Sequence, residues 1–145
     1  MTLAETLDIV KDLEIINIEI KDRGIEKQII YTIKEFNLLD KTIISSFDHY
    51  SIVKIKQIEK YIKVGLLYMS RLYKPYLYAK KIGADALHPY YRTVTENMVK
   101  NSHKSLLEVN VFGVDDAVNY ELEVSKLKKM DVDMIISNYP DKYYY

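Results

Sequence analysis

Two ionisable side chains stand in an otherwise apolar run: Glu19 and Lys21, in Ile15-Ile16-Asn17-Ile18-Glu19-Ile20-Lys21. Strand side chains alternate sides, so Ile16, Ile18 and Ile20 face one way while Asn17, Glu19 and Lys21 face the other. A run this apolar reads as buried, and burying charge without a partner costs about several kcal/mol. A carboxylate suits a metal ion and a lysine suits an anion, so the pair reads as a site. The competing reading is a solvated ion pair on an edge strand.

The surrounding pattern supplies elements to hold such a pair. Thr2 with Glu5 three residues later forms a capping box for a helix whose apolar face is Leu3, Leu7 and Val10. A strand is expected over residues 14–21, then a loop at Asp22-Arg23-Gly24, then a helix on Ile25, Ile29, Ile33 and Phe36. A second strand covers 41–47, and Asp48 caps a helix with the stripe Ile52, Ile55, Ile58 and Ile62. Strands at 64–69, 84–88, 107–114 and 132–137 alternate with helices at 73–81, 95–101 and from Asp115 or Asp116 to Lys129. Thr93 or Thr95 caps the helix at 95–101. Six βα alternations with Ile/Val/Leu-rich strands predict a parallel sheet with helices outside. With 4 glycines in 145 residues, and none in a phosphate loop after a strand, a dinucleotide fingerprint is excluded. Polar residues gather at or beyond strand C-termini (Glu19, Lys21, Ser45, Ser46, Arg71, His88, Asp115, Asn138), the rim where a β/α barrel binds ligands.

Composition narrows the functional classes. Apolar residues make up 48%, and 21 basic against 21 acidic side chains leave no net charge, so the chain lacks the footprint of a general nucleic-acid binder. Cysteine is absent, which removes disulfides, thiolate catalysis and Cys-based zinc sites. No apolar run reaches the roughly 18 residues needed to span a bilayer. The acidic and basic residues of 2–13 do not form a signal peptide, so a cytoplasmic location is expected.

Five segments carry a resemblance. They are Asn17-Ile18-Glu19-Ile20-Lys21, Ile44-Ser45-Ser46-Phe47-Asp48, Ala86-Leu87-His88-Pro89, then His103 ahead of Val109-Asn110-Val111-Phe112-Gly113-Val114, and last Val132-Asp133-Met134-Ile135-Ile136-Ser137-Asn138-Tyr139-Pro140. In order and spacing they resemble the C-terminal part of the glycerophosphodiester phosphodiesterase family, from the third to the eighth strand of its TIM barrel. The resemblance implies an α/β fold, an incomplete TIM-type (β/α) barrel with six of eight βα units, occupying residues 1–145 as one domain. It implies metal-dependent hydrolysis of a glycerophosphodiester to glycerol 3-phosphate and an alcohol. Glu19 is then a ligand of a divalent cation, Mg2+ or Ca2+, Lys21 a contact to the substrate phosphate, and Phe112 a wall of the substrate pocket. The family's catalytic His-Arg pair, acidic metal-binding pair and second histidine have no counterpart here. No catalytic residue is assigned for that reason, and the isolated chain is expected to be impaired. Phe112-Gly113 stands where the family usually has Trp-Thr, and Ser137-Asn138 where it usually has Thr-Asp.

The other candidates receive plainer readings. His88 is a rim residue bonded to backbone, and His49 and His103 complement helix ends. Ser45 and Ser46 are small barrel-facing groups, since no base stands beside them. The 14 tyrosines fill semi-exposed positions or bind carbohydrate or a partner, and Tyr143-Tyr144-Tyr145 is a frayed tail. The alternative function is a catalytically inactive barrel module that binds or assembles. Its open edge would self-associate or take a complementing N-terminal fragment.

Overall fold

The computed structural model describes residues 1–139; Pro140 and the three terminal tyrosines lie outside the described residues. The chain divides into two compact units, Met1–Leu66 and the residues from Leu67 onward. The first holds α1 (Leu3–Val10), β1 (Ile16–Glu19), α2 (Glu26–Glu35), β2 (Thr42–Ser46), α3 (His49–Ile58) and most of β3 (Lys63–Tyr68). The second holds the end of β3, α4 (Pro75–Ile82), β4 (Ala86–Pro89), α5 (Glu96–Lys104), β5 (Glu108–Phe112), α6 (Tyr120–Lys129) and β6 (Met134–Ile136).

In the first unit β1 pairs with β2 and β2 with β3, all parallel. The register sets Glu19 opposite Ser45 and Ser45 opposite Gly65. All five residues of β2 are buried, as expected for a strand covered on both faces, whereas β1 alternates between buried and accessible positions. The helices bury part of the stripes read from the sequence: Leu7 in α1, Ile29 and Ile33 in α2, and Ile52 and Ile55 in α3; Ile25 stays exposed, and Ile30, outside the expected stripe, is buried. Ile62 is buried too, but it lies past the end of α3, in the turn that leads into β3. The expected capping box is present, with Thr2 accepting from the Glu5 N–H while Glu5 accepts from the Thr2 N–H at 2.7 Å.

The second unit repeats the scheme, with β4 parallel to β5 and β5 parallel to β6. Tyr90 N donates to Tyr68 O at 2.9 Å, linking the residue after β4 to the end of β3. Thr95, rather than Thr93, caps α5 by accepting from Met98 N. The last helix departs from expectation. Asp115 and Asp116 do not cap it; they sit in a 3-10 turn over Val114–Asp116, and Asn119 caps α6 by accepting from Leu122 N at 3.0 Å. Asp115 is instead committed to the strand end described below. No helix among the described residues is long and apolar enough to cross a membrane.

Candidate active site

Glu19 ends β1, and Lys21 lies two residues on, past the end of the strand. Between them Ile20 is buried and its backbone is held twice. Its N–H donates to Ser45 O at 2.8 Å, and its carbonyl accepts from Ser46 Oγ at 2.7 Å. The Ser46 hydroxyl also accepts from Asp48 N at 3.0 Å. Locking Ile20 fixes the directions of its two neighbours without any contact to their charged ends. Both charged side chains are exposed, and neither bonds to or pairs with another described residue. The burial expected from the apolar run therefore does not extend to these two groups: they are solvated, but they do not form an ion pair with each other.

Sequence reasoning put Ser45 and Ser46 on one face, and alternation forbids it. Ser45 lies in register with Glu19 and shares its face, while Ser46 points to the other and makes the tie to Ile20. The Ser45 hydroxyl is fully buried and lacks a hydrogen-bond partner. Its position level with Glu19 makes it an uncommitted polar group on the site face.

The loop after Lys21 is anchored by residues the sequence reading passed over. Glu26, the first residue of α2, is buried and accepts from Lys54 Nζ at 2.7 Å and Ser51 Oγ at 3.2 Å, both on α3. The Lys54 bond, with help from its own and the Gly24 N–H, holds its carboxyl down at about 2, against the opposing effect of burial. A second tie joins Arg23 Nε to Asp48 Oδ2 at 2.5 Å, and Arg23 lowers the Asp48 carboxyl below its ordinary value. Asp48 caps α3 as expected, accepting from Tyr50 N at 3.2 Å. Arg23 is largely exposed, so the buried Glu26 contact dominates the pair of ties. A glutamate in the first turn of a helix signals dipole complementarity and nothing more. Only the packing of α2 on α3 turns it into a clamp.

In the second unit Phe112 ends β5, and Tyr90 forms an isolated parallel bridge with it. Their rings are tilted at 5.7 Å between centroids, and Tyr91 packs edge-on against Tyr90 at 4.8 Å. Gly113 follows at φ +78, and a Cβ there would collide with the Tyr90 ring. Phe112 is thus backed by a second ring, and glycine at 113 leaves room for it. Asp115 accepts from Ser137 Oγ at 2.7 Å and from Asn138 N at 2.8 Å, fixing the end of β6.

One histidine departs from its expected place. His88 is not a rim residue bonded to backbone: it is fully buried within β4, and its Nε2 meets Asn110 Nδ2 of β5 at 3.2 Å. Burial pushes its pKa down to about 4, so the ring is neutral at pH 7. His88 Nδ1 and Asn110 Oδ1 have no partner. His103 lies in the last turn of α5 as expected, and its Nε2 pairs at 2.9 Å with Asp133, which also accepts from Val109 N at 2.7 Å.

A cation needs more than this donor set gives. Among the described residues no three His, Asp, Glu or Cys side chains gather to hold a metal, and Glu19 supplies a single carboxylate. Mg2+ or Ca2+ takes six or more oxygen ligands, so these residues do not by themselves make a complete site.

The comparisons with known proteins follow the same residues. The model of the Glycerophosphoryl diester phosphodiesterase family matches residues 3–142. A glycerophosphodiester phosphodiesterase of Caldanaerobacter subterraneus is 34% identical over 97% of the chain and 58% of its own length. Among solved structures, an Oleispira antarctica phosphodiesterase in complex with the product sn-glycerol-3-phosphate superposes with TM-score 0.78 at 20% identity, over 98% of this chain and 59% of that one. A glycerophosphodiester phosphodiesterase from Parabacteroides distasonis gives TM-score 0.80 at 20% identity, over 98% and 61%. The chain thus spans about three fifths of the length of the relatives it matches. The fold is that of the TIM-type (β/α) barrel, and the described residues hold six of its βα units. With residues 3–142 of its 145 matched by the family model, the chain belongs to the glycerophosphoryl diester phosphodiesterase family.

Proposed function

We propose that this chain carries part of the site of a phosphoric diester hydrolase that cleaves glycerophosphodiesters to glycerol 3-phosphate and an alcohol. The observation that carries the reading is the backbone lock on Ile20. It fixes the backbone between an unpaired carboxylate and an unpaired ammonium at the end of a parallel strand. In the hydrolysis water adds to phosphorus, the bond to the alcohol oxygen breaks, and that oxygen leaves with a proton. Negative charge grows on the phosphoryl oxygens as this happens. In this reading Lys21 neutralises it, and an ammonium beside a developing negative charge lowers the barrier. Glu19 is one oxygen ligand for a divalent cation, Mg2+ or Ca2+, and the other ligands come from groups beyond this donor set. Phe112, backed by Tyr90, supplies an apolar wall for the substrate.

With Glu19 taken as a cation ligand and the family's catalytic histidines without a counterpart in this sequence, the isolated chain binds phosphate monoesters but turns substrate over slowly at most. Titration of the chain with glycerol 3-phosphate, followed by NMR shifts of the Lys21 and Ile20 amides, tests the reading. Lys21→Met weakens binding about tenfold or more, the value of a charge-assisted hydrogen bond to an anion. Binding that is unchanged in Lys21→Met removes lysine from the phosphate site. Rapid release of glycerol 3-phosphate from glycerophosphocholine by the chain alone would overturn the statement about turnover.

A further inference from the structure

The segment between β3 and β4 has a composition unlike the rest of the chain. From Lys60 to Ala84 there is no acidic residue, although acidic and basic side chains balance over the whole sequence. After β3 this segment places Met69, Leu72, Tyr73, Leu77 and Tyr78 at the surface, with 42–86% of each residue exposed. Arg71, Lys74, Lys80 and Lys81 are exposed among them, and none forms an ion pair with a described residue. In α4 the turn of the helix sorts these groups. Pro75 and Ala79 are buried on one face, while Leu77, with Lys80 and Lys81 three and four residues on, lies on the other. Lys74 stands over the Tyr73 ring at 5.1 Å, so cation and aromatic share one spot just before the helix.

We propose that the β3–α4 loop and the outer face of α4 form a docking surface for an anionic phospholipid bilayer. Aliphatic side chains bury their apolar area at the boundary between headgroups and acyl chains. Tyrosine rings settle at headgroup depth, with the apolar body inward and the hydroxyl in water. Lysine and arginine lay their stems along that boundary and keep their charges at the phosphates. Four cations and no anion match a negative membrane surface. An acidic protein partner would satisfy the cations too, but exposed Leu72, Tyr73 and Leu77 beside unpaired cations are the amphipathic mixture that a lipid boundary accepts. The proposal does not depend on the hydrolase reading.

Flotation with sized vesicles tests it on the whole chain. The wild type is expected to float with vesicles of phosphatidylcholine containing phosphatidylglycerol, to stay behind with phosphatidylcholine alone, and to be released by raised salt. Lys80→Gln with Lys81→Gln weakens the association by about twentyfold or more, at roughly fivefold per basic residue near the surface. Leu72→Ser with Tyr73→Ser abolishes flotation while leaving the thermal melt in place, because both side chains are exposed. As a charge control, Lys128→Gln with Lys129→Gln on α6 leaves flotation unchanged. The proposal is overturned if the wild type ignores anionic vesicles, if it binds neutral vesicles equally, or if the control pair reduces flotation as much as the α4 pair.

Discussion

Lys54→Met should destabilise this protein more than Glu26→Gln, although both remove the same ion pair. The reason is burial: the Glu26 side chain is 3% exposed and that of Lys54 47%. Replacing Glu26 by Gln keeps the shape, retains an acceptor for Ser51, and leaves an ammonium free to take up water. The cost is one charge-assisted hydrogen bond, about 2 kcal/mol. Replacing Lys54 strands a buried carboxylate with only Ser51 and backbone N–H groups, a situation that costs about 3–5 kcal/mol. At roughly 3 °C per kcal/mol for a chain of this size, the melting points should fall by about 6 °C and about 9–15 °C. pH supplies a second readout. The Glu26 carboxyl sits at about 2 in the fold against an ordinary 4.5, so its contribution is complete above 4.5 and is lost as pH falls toward 2. Urea unfolding at a series of pH values should therefore show the gap between wild type and Glu26→Gln closing across that window. A gap that stays constant with pH, or a Lys54→Met variant no less stable than Glu26→Gln, would refute the clamp.

Three shorter predictions follow from other sites. Gly113→Ala should cost about 2–4 kcal/mol, combining left-handed backbone strain with collision against the Tyr90 ring. Gly83→Ala, at the same φ of +78 but with open space around a Cβ, should cost about 1–2 kcal/mol in the same thermal melts. Equal losses would remove the ring contact as the reason for glycine at 113. His88, neutral in the fold and with its pKa at about 4 against an ordinary 6.5, binds its proton more readily when unfolded. Stability should therefore fall as pH drops from 6.5 toward 4, and His88→Gln should flatten that stretch of the urea-derived curve. A slope unchanged in the variant would assign the loss to other groups. Asp115→Ala should loosen the end of β6, seen as faster amide exchange at Asn138, since that N–H donates to the Asp115 carboxylate. Unaltered exchange there would show that the contact does not hold the strand end.

The site was only partly legible in the sequence. Cap chemistry identified Thr2 and Asp48 and narrowed the α5 cap to Thr93 or Thr95, because these signals act within a few residues. Local signals failed where a side chain had two possible uses. Asp115 is as good a cap as Asn119 on composition, but it reaches Ser137 across 22 positions of sequence. His88 stands next to a proline at a strand end and reads as a rim group, yet its neighbour is Asn110 on β5. Ser45 and Ser46 differ only in which side of β2 they leave, and the register with β1 decides it.

What the linear chain determined was periodic and short-range: six strands, six helices, their order, and the carboxylate and ammonium flanking Ile20. Hydrophobic period and cap chemistry depend on residues a turn or less apart, so they survive without knowledge of the fold. Partnership between distant residues was decided by the tertiary structure alone. Glu26 meets Lys54 across 28 positions, Ser46 ties Ile20 across 26, and Gly113 makes way for Tyr90, because helix packing and strand register bring them within contact distance. Such contacts depend on geometry accumulated over the intervening chain, and no single window of sequence contains it.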